Sequence, residues 1–131
     1  MRWLAMLLIG LFMGVVGAVV AIGALRQGTP YNDAVMTVLG RQTGALRSMR
    51  EAGRCEAPEI ARRLRLMQAV AGETDAAFLP VGDDVLFRRH SAALSSAIDD
   101  ALARAPGDCD TLAGAMQGIG GACKACHDDF R

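Results

Sequence analysis

The sequence predicts an all-α protein, an up-down-up-down four-helix bundle preceded by one N-terminal transmembrane helix. Three observations carry this expectation. Residues Trp3 to Leu25 hold no charged side chain. Four later segments repeat apolar residues at helical spacing, and short Gly- and Pro-bearing connections divide them. No alternating run of β-branched residues is long enough to suggest a strand. The 131 residues suffice for one small domain plus an anchor.

The first element is the uncharged run, bracketed by Arg2 and Arg26. It exceeds the about 20 residues a helix needs to cross a bilayer core. A secretory signal peptide is the rival reading, with a small-x-small cleavage site at Ala21-Ile22-Gly23. Its apolar core is usually only about 7 to 15 residues, which favours an anchor over residues 1–25. Gly10, Gly14 and Ala18 fall four apart, a spacing that lets two membrane helices approach closely, although membrane helices are also simply richer in glycine. Residues 26–30 form a short linker, and residues 31–131 form the helical domain.

Segment A runs from about Asn32 to Ala52, with Val35, Leu39, Gln42, Leu46 and Met49 along one stripe. Segment B starts after Pro58, a good first-turn residue, and its stripe is Ile60, Leu64, Met67 and Ala71. Segment C starts after Gly82, with Asp83 or Asp84 as the cap, and Phe87, Leu94, Ile98, Ala101 and Ala105 line up on it. Segment D starts at Asp108 or Asp110, and Leu112, Ala115, Ile119, Cys123 and Cys126 follow one face to its end. Short connections favour antiparallel neighbours, hence the bundle.

Apolar residues make up 52% of the chain, and the excess lies in the N-terminal run. Net charge is zero at pH 7, so no basic field marks the chain for nucleic acid and no acidic tail for a basic partner.

Chemistry concentrates in the closing stretch Cys123-Lys124-Ala125-Cys126-His127. Residues three and four apart share a helix face, so both thiols and the imidazole reach one flat object lying against it. C-x-x-C-H is the attachment pattern for one covalent haem c. The thiols add to the haem vinyl groups, and His127 supplies an axial ligand to iron. A structural zinc site usually wants four ligands, often as two pairs, and the rest of the chain offers only His90, Cys55 and Cys109. A redox C-x-x-C normally opens a helix, where the terminus lowers the thiol pKa, whereas this one lies near a helix end. Gly114, Gly118, Gly120 and Gly121 on segment D suggest close approach of the haem or of segment A, the alternative being loose surface glycines.

The ending "GGACKACHDDFR" resembles the C-terminus of class II c-type cytochromes, the cytochrome c′ family. "YNDAVMTVLGRQTGALRSMREAG" resembles that family's first helix, and "FLPVGDD" its loop between the second and third. The resemblance covers about residues 31–131 and implies a four-helix bundle with the haem motif at the end of the last helix. It places the distal position on Met36. Family members with methionine there are low-spin electron carriers, whereas those with an apolar non-ligand leave iron five-coordinate and bind small gases. The resemblance also sets Arg131 near a haem propionate, a solvated terminal arginine being the alternative. Tyr31 is followed by Asn32 and Asp33 where many members carry an arginine–glutamine pair, which removes a basic propionate contact. Homodimers through the first two helices are common in the family.

Helix register agrees with Met36. It lies ~7 Å along the axis from the start of segment A, and His127 lies ~6 Å from the end of segment D, so antiparallel packing sets them at one level. Met67 and His90 are the rival ligands. Met67 more often fills a core, and His90 more often stays solvated or bonds a propionate.

Cys55 and Cys109 remain. Each sits at a connection, and in an up-down-up-down bundle the A–B and C–D connections share a pole. An exported domain meets oxidising conditions, so a Cys55–Cys109 disulfide is expected, with two buried thiols as the alternative. The expectation as a whole is a membrane-anchored electron carrier rather than an enzyme. It would sit at the bacterial inner membrane with its haem domain in the periplasm. Its partners would be membrane redox complexes or other electron carriers. A five-coordinate cytochrome binding nitric oxide is the alternative.

Overall fold

The computed structural model describes residues 2–26 and 30–130. The chain forms two compact units, Met1–Pro30 and Tyr31–Arg131.

The first unit is one helix, α1, Arg2–Arg26. Large apolar side chains on it, Trp3 and Phe12 among them, are exposed. Among the described residues no helix is long and apolar enough to cross a membrane. That finding overturns the expected transmembrane helix at 1–25. With it falls the placement at the bacterial inner membrane. Residues 27–29 of the expected linker lie outside the described residues.

The second unit is helical throughout its described residues. It comprises α2 Tyr31–Glu51, α3 Ala57–Ala71, a one-turn α4 Thr74–Ala77, α5 Val85–Arg104 and α6 Cys109–Phe130. The long helices pack in a ring, α2 on α3, α3 on α5, α5 on α6 and α6 back on α2. This is a four-helix bundle in which sequence neighbours are also neighbours in space.

Local chemistry sets the ends. Gly53 adopts a left-handed φ of 65° after α2, and the Arg54 amide reaches back to the Met49 carbonyl at 2.9 Å. Asp84 caps α5, its Oδ1 accepting from the Leu86 and Phe87 amides at 2.7 and 3.1 Å. Asp108 does the same for α6, accepting from the Asp110 and Thr111 amides at 3.0 and 2.8 Å. Between α3 and α5 the chain makes α4 and a 3₁₀ turn at Val81–Asp83, where the sequence suggested only a loop. Gly82 is buried against α4, and a Cβ there would collide with the Asp75 carbonyl. Only glycine permits that approach.

The periodic stripes meet in the core. Leu46, Ile60, Leu64, Met67, Ile98, Leu112 and Ile119 are its largest fully buried side chains, drawn from all four long helices. Met67 is thus a core residue. Polar ties cross between helices at the rim, Gln68 to Asp99 at 2.7 Å and Arg63 to Gln42 at 3.1 Å.

Cys55, in the α2–α3 connection, and Cys109, the first residue of α6, form a disulfide with Cα atoms 5.3 Å apart. It closes a loop of sequence separation 54. In the chain-entropy account a loop of that size stabilises by ~4 kcal/mol. A Cys55→Ser/Cys109→Ser chain is therefore expected to lose up to about 4 kcal/mol, measured by denaturant unfolding.

The Asp108 cap predicts a pH dependence. The Thr111 amide first, then the Thr111 hydroxyl and the Asp110 amide, hold its carboxyl below its ordinary value of 3.8. A depressed folded-state value means the stabilisation is full above the ordinary value and is lost as pH falls below it. Unfolding curves of wild type and Asp108→Asn are expected to separate near neutrality and to converge below about pH 3.

Candidate haem-binding site

The core does not fill the whole bundle. Beyond Leu94 and Ile119 it opens into a cavity of about 330 Å³, lined by residues of α2, α4, α5 and α6.

The α6 wall carries the closing motif. Leu112, Ala115 and Ile119 are buried, and this stripe fixes the rotation of α6 about its axis. Cys123 and Cys126 continue the same stripe and are half-buried, and neither is in a disulfide. His127 lies one residue further, and all three line the cavity. Burial pushes both thiols up from their ordinary value. Cys126 adds to the effect at Cys123, and Asp129 adds to it at Cys126. A redox-active C-x-x-C needs the opposite shift. Among the described residues no group of three or more His, Cys, Asp or Glu is placed to hold a metal ion.

The α2 wall faces it with Met36, Leu39, Gly40, Thr43 and Gly44. These recur every three or four residues, one face of one helix. A Cβ added at Gly40 or Gly44 would meet nothing within 4 Å, so the wall is set back from its neighbours there. The four glycines of α6 behave otherwise than one expectation held. Gly114, Gly118, Gly120 and Gly121 are exposed with open space around them, so α2 makes no close approach to them.

Met36 and His127 line the same cavity from opposite walls. Met67 lies in the core and is not among the cavity-lining residues. His90 borders the cavity from α5, and its Nε2 lies 2.8 Å from Asp129 Oδ2. That bond ties α5 to the last turn of α6. Phe130 adds an aromatic contact, packing edge-on against Phe87 with ring centres 5.2 Å apart, and Phe78 meets Phe87 at 5.3 Å. At the other wall the Tyr31 hydroxyl donates to Glu73 Oε2 at 2.9 Å, fastening the start of α2 to the α3–α4 corner. Arg131 lies outside the described residues.

Two further cavity residues escaped sequence reasoning. Ser91 sits on the α5 stripe between Phe87 and Leu94, where a polar residue on an apolar face was the available signal. Thr74 opens α4, inside a stretch read as loop, where a threonine raises no question.

A flat group carrying two vinyl carbons and an axial position fits this donor set. Two unpaired thiols and an imidazole stand on one wall, and an apolar wall with room stands opposite. Residues 83–131 match the family model for cytochrome C'. The fold is that of the cytochromes c′, and the family match spans the last two long helices. The cytochrome c′ of Rubrivivax gelatinosus superposes with a TM-score of 0.65 at 23% identity, over 77% of this chain and 91% of that one. A nitric oxide complex of a mutant cytochrome c′ from Alcaligenes xylosoxidans gives 0.69 at 24% identity, over 77% and 90%. A ferrous variant of the same protein with bound nitric oxide gives 0.67 at 24% identity, over 76% and 88%. No curated protein matches. The class II resemblance read from the closing motif therefore holds in fold and in signature, and haem c is the family's cofactor.

Removing both thiols tests their role. The Cys123→Ser/Cys126→Ser chain, expressed with haem-attachment machinery, is expected to lose all haem staining on a denaturing gel, while wild type retains it.

Proposed function

We propose that residues 31–131 form a c-type haem domain whose distal face binds a small diatomic gas, nitric oxide being the first candidate. Cys123 and Cys126 would hold the haem covalently and His127 would ligate it from the α6 side. The haem would supply an iron able to bind such a gas on the opposite face. The observation that carries the reading is the cavity opposite His127, apolar and set back at Gly40 and Gly44. Two of the superposed cytochromes c′ hold nitric oxide. Apolar walls admit a neutral gas and offer little to ions or water. No residue in this reading makes or breaks a covalent bond in a substrate, so the domain is a binding protein rather than an enzyme.

A second reading rests on one residue. Met36 is half-buried and lines the cavity opposite His127. A thioether bound there would make a low-spin His/Met haem with a raised potential. The domain would then carry single electrons between redox partners.

An absorption spectrum of the haem-loaded chain, oxidised and reduced, with and without carbon monoxide, separates the two. The gas-binding reading expects a high-spin spectrum that shifts at once with carbon monoxide and a Met36→Leu variant that behaves alike. Sharp low-spin bands unmoved by the gas, with a methionine-to-iron charge-transfer band lost in Met36→Leu, would establish the electron carrier instead.

A further inference from the structure

α6 ends at Phe130, and His127 stands in its last turn. The last four carbonyls of a helix have no intrahelical partner, so a helix end frays unless something outside holds it. A frayed turn would let the His127 imidazole swing. Whatever holds this turn therefore fixes the ligand.

The side-chain contacts that reach the turn are unequal. Lys124 Nζ donates to Asp128 Oδ2, but both belong to α6 and both are exposed, and such pairs add little. Phe130 packs edge-on against Phe87 of α5. His90, also of α5, makes two contacts at once. Its Nε2 lies 2.8 Å from Asp129 Oδ2, and its ring meets Phe130 edge-on with centres 6.1 Å apart. A carboxylate oxygen accepts, so the ring nitrogen donates. The His90 side chain is only 14% exposed, which shields the bond from water as the Lys124 pair is not. His90 also stands on a fixed base. Phe87, Ser91 and Leu94 share its face of α5 at helical spacing, and all three are buried. It lines the same cavity as Cys126 and His127, so the tie acts at the level of the motif.

We infer that His90 is a positioning residue for the iron ligand, acting through Asp129 and Phe130 to hold the last turn of α6 and with it the orientation of the His127 imidazole. The inference rests on haem ligation by His127, which both functional readings share, and it adds a residue from a different helix to that site. Outer partners of this kind set the ring orientation of a ligating histidine. In a low-spin ferric haem that orientation governs how unpaired spin spreads over the haem ring, so it is open to measurement.

The test uses the haem-loaded full chain in the ferric state with cyanide as probe. Cyanide takes the distal face whichever functional reading holds, and proton NMR reads the shifts of the four haem methyl groups. Wild type is expected to give one set of methyl signals. His90→Phe keeps a ring beside Phe130 and removes the donor, and it is expected to shift those signals or split them into two sets. His90→Gln, which donates from the same place, is expected to restore the wild-type pattern. If His90→Phe does not fold, Asp129→Ala breaks the same bond from its exposed end. Asp129→Asn keeps an acceptor without the charge and is expected to keep the wild-type pattern. An unchanged pattern in His90→Phe or in Asp129→Ala would overturn the inference. Equal shifts in His90→Gln and His90→Phe would assign the effect to lost ring packing and overturn it too. Equal shifts in Asp129→Asn and Asp129→Ala would assign it to the carboxylate's charge, with the same consequence. A wild-type chain that carries no covalent haem would sink the haem-domain reading itself, and the inference with it. That failure shows before any His90 variant is made.

Discussion

The packing of one face of α6 against the bundle is the constraint on which the rest of the site depends. Leu112, Ala115 and Ile119 are buried among α2, α3 and α5 side chains, and that burial leaves α6 no freedom to rotate. Helical spacing then carries the same stripe to Cys123 and Cys126. The core face and the reactive face are one face, solid at one end and open at the other. The change happens where the large side chains stop. Leu46, Ile98 and Leu112 fill the section near the disulfide, whereas Gly40 and Gly44 on α2 leave the opposite section hollow. A gap of about 330 Å³ is thereby obtained.

A hollow section gives up apolar contact, and the structure compensates around its rim. The last turn of α6 is held by His90 on Asp129 and by Phe87 on Phe130, both reaching from α5. The first turn of α2 is held by Tyr31 on Glu73. The two walls that must face each other are thus each fixed by a neighbouring element, not by contact across the gap. A site held this way keeps its geometry before anything enters it, which lowers the ordering cost of binding. At the opposite pole the Cys55–Cys109 link joins the α2–α3 connection to the start of α6, so neither end of the bundle is free to splay.

What the sequence disclosed follows from the reach of each signal. Segments A to D declared themselves because helical periodicity is local and repeats, and α2, α3, α5 and α6 begin within a residue or two of the expected places. The haem motif was legible because all three of its residues fall within five positions. The asparagine and aspartate after Tyr31 gave no hint that the tyrosine itself would bond Glu73, since that contact joins residues 42 apart. His90 was read as solvated or propionate-bound, and its partner proved to be Asp129, a pairing that only the α5–α6 register creates. α4 was invisible for another reason. One turn of four residues carries too little periodicity to register, and its role is to bring Thr74 to the cavity and to seat against Gly82.

The two functional readings differ less than their names suggest, because both use the same wall of α2. Met36 has three rotatable side-chain bonds and a soft sulfur, so it can line a cavity without being committed to any one position in it. If its sulfur took the distal site part of the time, the apparent affinity for a gas would fall by the fraction of time the site is open, and nothing else about binding would change. The balance between the two readings then rests on one flexible side chain, which the cavity has room either to admit or to turn aside.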